Sequence, residues 1–190
     1  LLFMYAERSQ LEMYAMGMAT VDDNKKINLH SSDQPYEHID EAIKMEELVS
    51  NYLSSEEGES LMDYLDAKGK DKINIREYGS GDLGENVVAA VLHDGIEGVI
   101  LSNYNGKPFT ERISEMAEMY GLSDEATTEY VLAHEFAHAA GYKSEAETEN
   151  VIKEYFQEMA AGSEGGIKEK YESLAKVAEG RSENASANYN

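Results

Sequence analysis

From Tyr130 to Gly141 the chain reads Tyr-Val-Leu-Ala-His-Glu-Phe-Ala-His-Ala-Ala-Gly, a run with one formal charge in a protein that is 28% charged. A helix with so little polarity around its circumference belongs inside the molecule, and the other elements must be arranged to cover it. Its polar side chains, His134, Glu135 and His138, then need partners, because burying an imidazole or a carboxylate without one is unfavourable. His134 and His138, four residues apart, project from one helix face, so both rings can reach a single ion while Glu135 leans over its open side. With 5 His in 190 residues, and every acid counted as Glu, composition alone yields about 0.03 chance occurrences of His-Glu-x-x-His.

What surrounds this helix is read from period and punctuation. Leu1 to Thr20 is rich in Leu, Met, Tyr and Ala, but Glu7, Arg8 and Glu12 interrupt its apolar runs before they reach a membrane span, which predicts a soluble amphipathic helix. Ser32-Asp33-Gln34-Pro35 signals a helix start ahead of Ile39, Ile43, Met45, Leu48 and Leu53, and a second short helix is expected from about Glu57 to Ala67. Lys72 to Tyr78 alternates apolar and polar residues as a half-buried strand does. Gly79 to Gly84 reads as a loop between an N-terminal region and the unit carrying the motif. Beyond it, Asn86 to Leu92 and Gly98 to Asn103 form the arms of a hairpin turned at Asp94-Gly95.

Pro108 opens a helix with Ile113, Met116 and Met119 on one face and Gly121 at its stop. Ser123 starts the motif helix and Gly141 ends it; Ser144 with Glu147 is a capping box for the next, which carries Val151, Ile152, Tyr155, Phe156 and Met159. A charged helix from about Ile167 to Ala178 follows, and Arg181 to Asn190 has the composition of a disordered tail. The expected class is α+β: a small antiparallel or mixed sheet packed on the motif helix and its successor, with an extra, mostly helical N-terminal region. Three segments result, 1–80, 81–162 and 163–190, the first a candidate pro-segment or regulatory region and the last a helix with a flexible tail.

Acids outnumber bases 38 to 16, and a formal charge of −22 disfavours phosphate backbones and anionic membrane surfaces as partners. Cysteine is absent, which removes disulfides and thiolate metal sites and suits a cytoplasmic location.

Two imidazoles leave a tetrahedral Zn²⁺ short of protein ligands. No third His follows within short reach, and His30, His38 and His93 lie far upstream. Glu145 and Glu149 fall one turn apart on the next helix, and the short connection folds that helix back so that its opening turns approach the imidazoles.

Together these residues resemble the gluzincins, zinc peptidases with the His-Glu-x-x-His motif and a Glu on the following helix, often with an Asp four residues later. The resemblance implies Glu145 as the third Zn²⁺ ligand and Glu149 as acceptor of the free N–H of His134. Glu stands here where the family has Asp, so the reverse assignment, with Glu149 on the metal, stays open; Glu147 is the capping acid. The segment from about Asn86 to Ala161 is similar in its order of elements to the minimal soluble gluzincins of archaea. It implies a zinc-dependent peptidase acting on a peptide or protein, in which a water activated by the metal attacks with Glu135 as general base. The substrate would lie extended along the strand Gly98 to Asn103, and Tyr142, His93 and Tyr104 are candidate oxyanion donors. A latent form, covered by residues 1–80 or by the tail, is a further expectation. The alternative is a non-catalytic module in which zinc staples two helices and the acidic surface recruits a partner.

Overall fold

The computed structural model describes residues 2–6, 16–21, 27–31, 44, 47–69, 71, 73, 75–81, 83–92, 97–102 and 104–187. Six strands, β1 (Leu2–Ala6), β2 (Met16–Val21), β3 (Ile27–Ser31), β4 (Ile75–Gly81), β5 (Val87–Leu92) and β6 (Glu97–Ser102), form one mixed sheet in the order β1-β5-β6-β4-β2-β3. The hairpin expected around Asp94-Gly95 is the antiparallel pair β5–β6, with Ala89 opposite Leu101 and Val91 opposite Val99. Five helices follow the chain: α1 (Glu56–Lys68), α2 (Phe109–Tyr120), α3 (Asp124–Ala139), α4 (Glu145–Ala161) and α5 (Gly165–Ala187), with a further helical stretch at 47–53. The class is therefore α+β.

Local chemistry sets the helix boundaries around the motif. Ser123 and Ser144 each cap the helix that follows, their hydroxyls accepting from the backbone N–H of Ala126 at 3.1 Å and of Glu147 at 3.2 Å. Gly121 ends α2 in the left-handed region at φ 66°, which a residue without Cβ adopts freely. Gly141, at φ 98°, lets the chain reverse between α3 and α4.

Almost all of α3 from Ala126 to Ala139 is buried, as its near-absence of charge demands. Its apolar side chains join one core with Val88, Ala89 and Val91 of β5, Val99 and Leu101 of β6, and Val151, Ile152, Tyr155 and Phe156 of α4. Tyr130 stacks on Phe156 at 5.9 Å between centroids, and Phe156 on Tyr171 of α5 at 6.2 Å. Each such fully buried ring contributes about 1.5–3 kcal/mol through burial, so α3, α4 and α5 are held as a unit. The end of α1 is tied to the end of α3, Asp71 donating from its N–H to Ala140 O at 3.0 Å and Tyr142 from its hydroxyl to Lys68 O at 2.7 Å.

Several expectations are corrected here. The amphipathic helix over Leu1 to Thr20 is instead strand at Leu2–Ala6 and Met16–Val21, β1 running parallel to β5 and β2 antiparallel to β4. A short apolar run such as Leu-Phe-Met-Tyr-Ala fits either period, and distant strand partners decide it. Among the described residues of 1–80, strands β1–β3 and most of β4 stand beside the helical stretch at 47–53 and α1, where a mostly helical region was expected. The strand expected at Lys72 to Tyr78 begins at Ile75 and runs on through Gly81, across the glycine segment read as a loop. Helix α5 continues to Ala187, so most of the expected flexible tail from Arg181 is helical. Strand β6 is paired on both sides, by β5 and by β4, so the edge expected to receive a substrate is not free. The helix start at Ser32 to Pro35 lies outside the described residues. No helix among the described residues is long and apolar enough to cross a membrane.

Candidate metal centre

One face of α3 carries His134 and His138, their rings edge to face with centroids 4.7 Å apart and neither exposed to solvent. The reversal at Gly141 returns the chain so that Glu145, the first residue of α4, sits against both. His134 Nε2 lies 3.0 Å from His138 Nε2 and 3.2 Å from Glu145 Oε2, and His138 Nε2 lies 3.3 Å from Glu145 Oε1. These three residues form a group able to hold a metal ion.

Tautomers settle what this triangle presents. His138 Nδ1 lies 2.7 Å from the carbonyl of Tyr142, which can only accept, so Nδ1 carries the hydrogen and Nε2 a lone pair. His134 Nδ1 lies 3.1 Å from Glu149 Oε1, within ion-pair distance but not aligned as a hydrogen bond, so a negative charge stands behind the first imidazole and favours the hydrogen on Nδ1. With a hydrogen on each Nδ1, two imidazole nitrogens and a carboxylate converge on one point, an arrangement that calls for a positive charge between them, a proton on His134 or a metal ion. The spacing fits one: an ion with bonds of about 2.0–2.1 Å in tetrahedral geometry separates its donors by about 3.3–3.4 Å. Three protein donors leave a fourth position open. The Glu145 side chain is 33% exposed, and those of His134 and His138 are fully buried.

The electrostatics agree. Burial pushes Glu145 up, but its contacts with His134 and His138 outweigh that and hold it at about 2. Burial lowers His138, keeping it neutral. For His134 burial also pulls down, yet Glu149 and Glu145 raise it to about 9, so the acceptors that would face a metal ion already favour positive charge at this spot. Glu149, buried, is held below the usual carboxylate range by His134 and Arg181 against the desolvation of its charge.

Glu135, next to His134, is fully buried, and neither of its carboxylate oxygens has a hydrogen-bond partner among the described residues. Desolvation raises its pKa to about 8. A carboxyl kept without a structural partner is unusual in a protein interior and calls for a reason.

Of the candidate oxyanion donors, Tyr142 gives its hydroxyl to Lys68 O at 2.7 Å and its carbonyl to His138, which commits it to holding the turn. His93 and the side chain of Tyr104 lie outside what the structure describes. Glu147 serves α4 at its N-terminus through its backbone N–H to Ser144.

Sequence reasoning missed three groups that shape the site. Thr148 places its hydroxyl 3.2 Å from His138 Nδ1 and donates to Tyr142 O at 3.0 Å. Tyr130, one turn before His134 on α3, donates its hydroxyl to Glu149 Oε2. Arg181 donates from Nε to Glu149 Oε1 at 2.7 Å. A signal for Arg181 was present: Tyr171, Leu174, Ala175 and Ala178 set a buried stripe on α5, and position 181 continues it with a cation.

Comparison with protein-family models, with curated proteins and with solved structures finds no match, so the functional reading rests on this geometry alone.

Proposed function

We propose that this protein is a zinc-dependent peptidase of gluzincin type, with His134, His138 and Glu145 as metal ligands and Glu135 as general base. The observation that carries the reading is the convergence of two imidazole nitrogens and the carboxylate of Glu145 at 3.0–3.3 Å beside a buried carboxyl that has no hydrogen-bond partner among the described residues. Zn²⁺, when bound, supplies Lewis acidity toward a peptide carbonyl and lowers the pKa of water. The protein's own part is to hold and to move protons. Tyr142 O and Glu149 fix the two imidazoles so that both Nε2 atoms face inward. Glu135 takes a proton from the attacking water and returns it to the leaving amine. Its value of about 8 in the protein alone falls when a cation sits beside it, toward the range where a carboxyl can both accept and release a proton at neutral pH.

One observation favours the second reading, a zinc-stabilised module without turnover: His134, Glu135 and His138 expose no surface, and only Glu145 opens toward solvent. Glu135 separates the two, since a closed structural site has no use for a base beside its first ligand. The test is Glu135→Gln, with metal content and digestion of a broad peptide library measured with and without chelator. The peptidase reading expects unchanged metal content and a loss of chelator-sensitive turnover of about 10²–10⁴-fold. A fully metallated wild-type protein that cleaves nothing in such a library would transfer the case to the module.

A further inference from the structure

Glu149 is 1% exposed, and its charge is met by groups from two other helices, α5 and α3. Arg181 of α5 donates to Oε1 at 2.7 Å, Tyr130 of α3 donates to Oε2, and His134 Nδ1 faces Oε1 at 3.1 Å. Arg181 is itself braced: its Nη1 donates to Tyr120 OH at 2.8 Å, with the guanidinium 5.9 Å from the centre of that ring. Beside it, Ser182 donates to Asn150 Oδ1 at 3.0 Å and so pins this stretch of α5 to α4. The result is a continuous relay from Tyr120 through Arg181 and Glu149 to His134, built on α2, α5, α4 and α3.

We propose that Arg181 is a positioning residue of the metal centre, holding Glu149 so that His134 turns its Nε2 lone pair inward; the proposal rests on the metal-site reading above. The reasoning is geometric. A Glu side chain has three rotatable bonds, and a carboxylate of that reach keeps one orientation only where its oxygens are fixed. Arg181 fixes Oε1, the same oxygen that lies 3.1 Å from His134 Nδ1, so a held negative charge behind the ring favours the hydrogen on Nδ1. An ammonium on a flexible stem would not reproduce the placement, because the Nε and Nη1 donors serve two partners from one rigid plane. The C-terminal helix thereby becomes part of the metal site without touching the metal.

The experiment is a cycle of Arg181→Met, Glu149→Gln and the double variant. Zn²⁺ and Co²⁺ affinity are measured by competition with a chromophoric chelator, thermal stability is measured on the metal-free proteins, and Arg181→Lys is included as the conservative change. Arg181→Met is expected to weaken metal binding by about 10–100-fold, as loss of an outer-shell partner does. Adding it to Glu149→Gln should weaken binding by less than twofold more, because Arg181 acts through Glu149. Arg181→Lys should fall between wild type and Arg181→Met. The charge-neutral double variant avoids a stranded buried anion, so comparing it with Glu149→Gln decides the matter even where Arg181→Met does not fold. Undiminished loss on the Gln background, or wild-type affinity with only a lower melting temperature, would overturn the role of Arg181 and leave the metal site standing. Wild-type protein that binds neither ion would overturn the site and this role together.

Discussion

Glu135 is a residue whose burial can be read without any substrate. In the unfolded chain its carboxyl titrates near the usual value of about 4.3, whereas burial in the folded protein lifts it to about 8. The folded state therefore binds this proton more tightly, and the stability that follows is complete below the unfolded pKa and lost as pH rises through the folded one. His134, raised to about 9 by Glu149 and Glu145 against its burial, acts with the same sign from its unfolded value of about 6.5 upward. Metal-free protein should thus lose stability between about pH 7 and pH 9, above the range in which His138, lowered by burial, acts with the opposite sign. Glu135→Gln removes one of the two titrations, so its decline should be shallower and the variant should exceed wild type at pH 9. Thermal melts in chelator across this range test it, and parallel profiles for the two proteins would contradict the buried charge. The motif was legible at this scale because spacing on a helix is intrinsic: residues four apart share a face whatever packs around them. The stripe on α5 reaches the position of Arg181, but its role was not legible, because what recruits it is Glu149, 32 residues earlier on another helix.

Between elements, one contact is tight enough to forecast the result of adding a single methyl group. Gly58, in the first turn of α1, lies so close to the preceding helical stretch that a Cβ there would stand 2.0 Å from Tyr52 O, 2.7 Å from Tyr52 C and 2.8 Å from Leu53 Cα. All three are backbone atoms and cannot swing aside. Gly58→Ala is expected to destabilise the protein by about 3 kcal/mol, the upper part of the range for overpacking, even though Ala is the better helix former. Urea denaturation measures it, and a change under about 0.5 kcal/mol, the scale of an ordinary surface substitution, would mean that residues 47–53 do not meet α1 this way. Helices α2, α3 and α4 were readable in sequence because their signals are local: Gly121 as a left-handed stop, and Ser123 and Ser144 as caps that the structure uses. Strands β1 and β2 were not, since β1 pairs with residues 87–92 and β2 with residues 77–81, and nothing local separates an apolar strand from one face of a helix. The last turns of α5 were hidden for a related reason. Their Ser and Asn content favours a coil, and the bonds from Arg181 and Ser182 to α4 override it.

Across the whole molecule the dominant quantity is charge. With 38 acids against 16 bases, carboxylates far outnumber the cations that could pair with them, and among the described residues two lysines each sit between acids. Lys68 lies 3.2 Å from Glu158 and 3.8 Å from Glu154, and Lys107 reaches both Glu111 and Glu115. Exposed pairs of this kind are well screened by water and contribute little, too little to offset the mutual repulsion of a chain with a formal charge of −22. Salt acts on both contributions, but repulsion summed over many distant charges has more to lose as the Debye length shrinks from about 30 Å at 0.01 M to about 3 Å at 1 M. The Arg181–Glu149 pair, with the carboxylate 1% exposed, is shielded from that change. Stability should therefore rise with NaCl, each kcal/mol of repulsion relieved appearing as about 2–4 °C in Tm for a chain of this length. Thermal melts of metal-free protein from 0.01 to 1 M NaCl check it: a falling Tm would show that attractive pairs, and not the excess of acid, govern the surface.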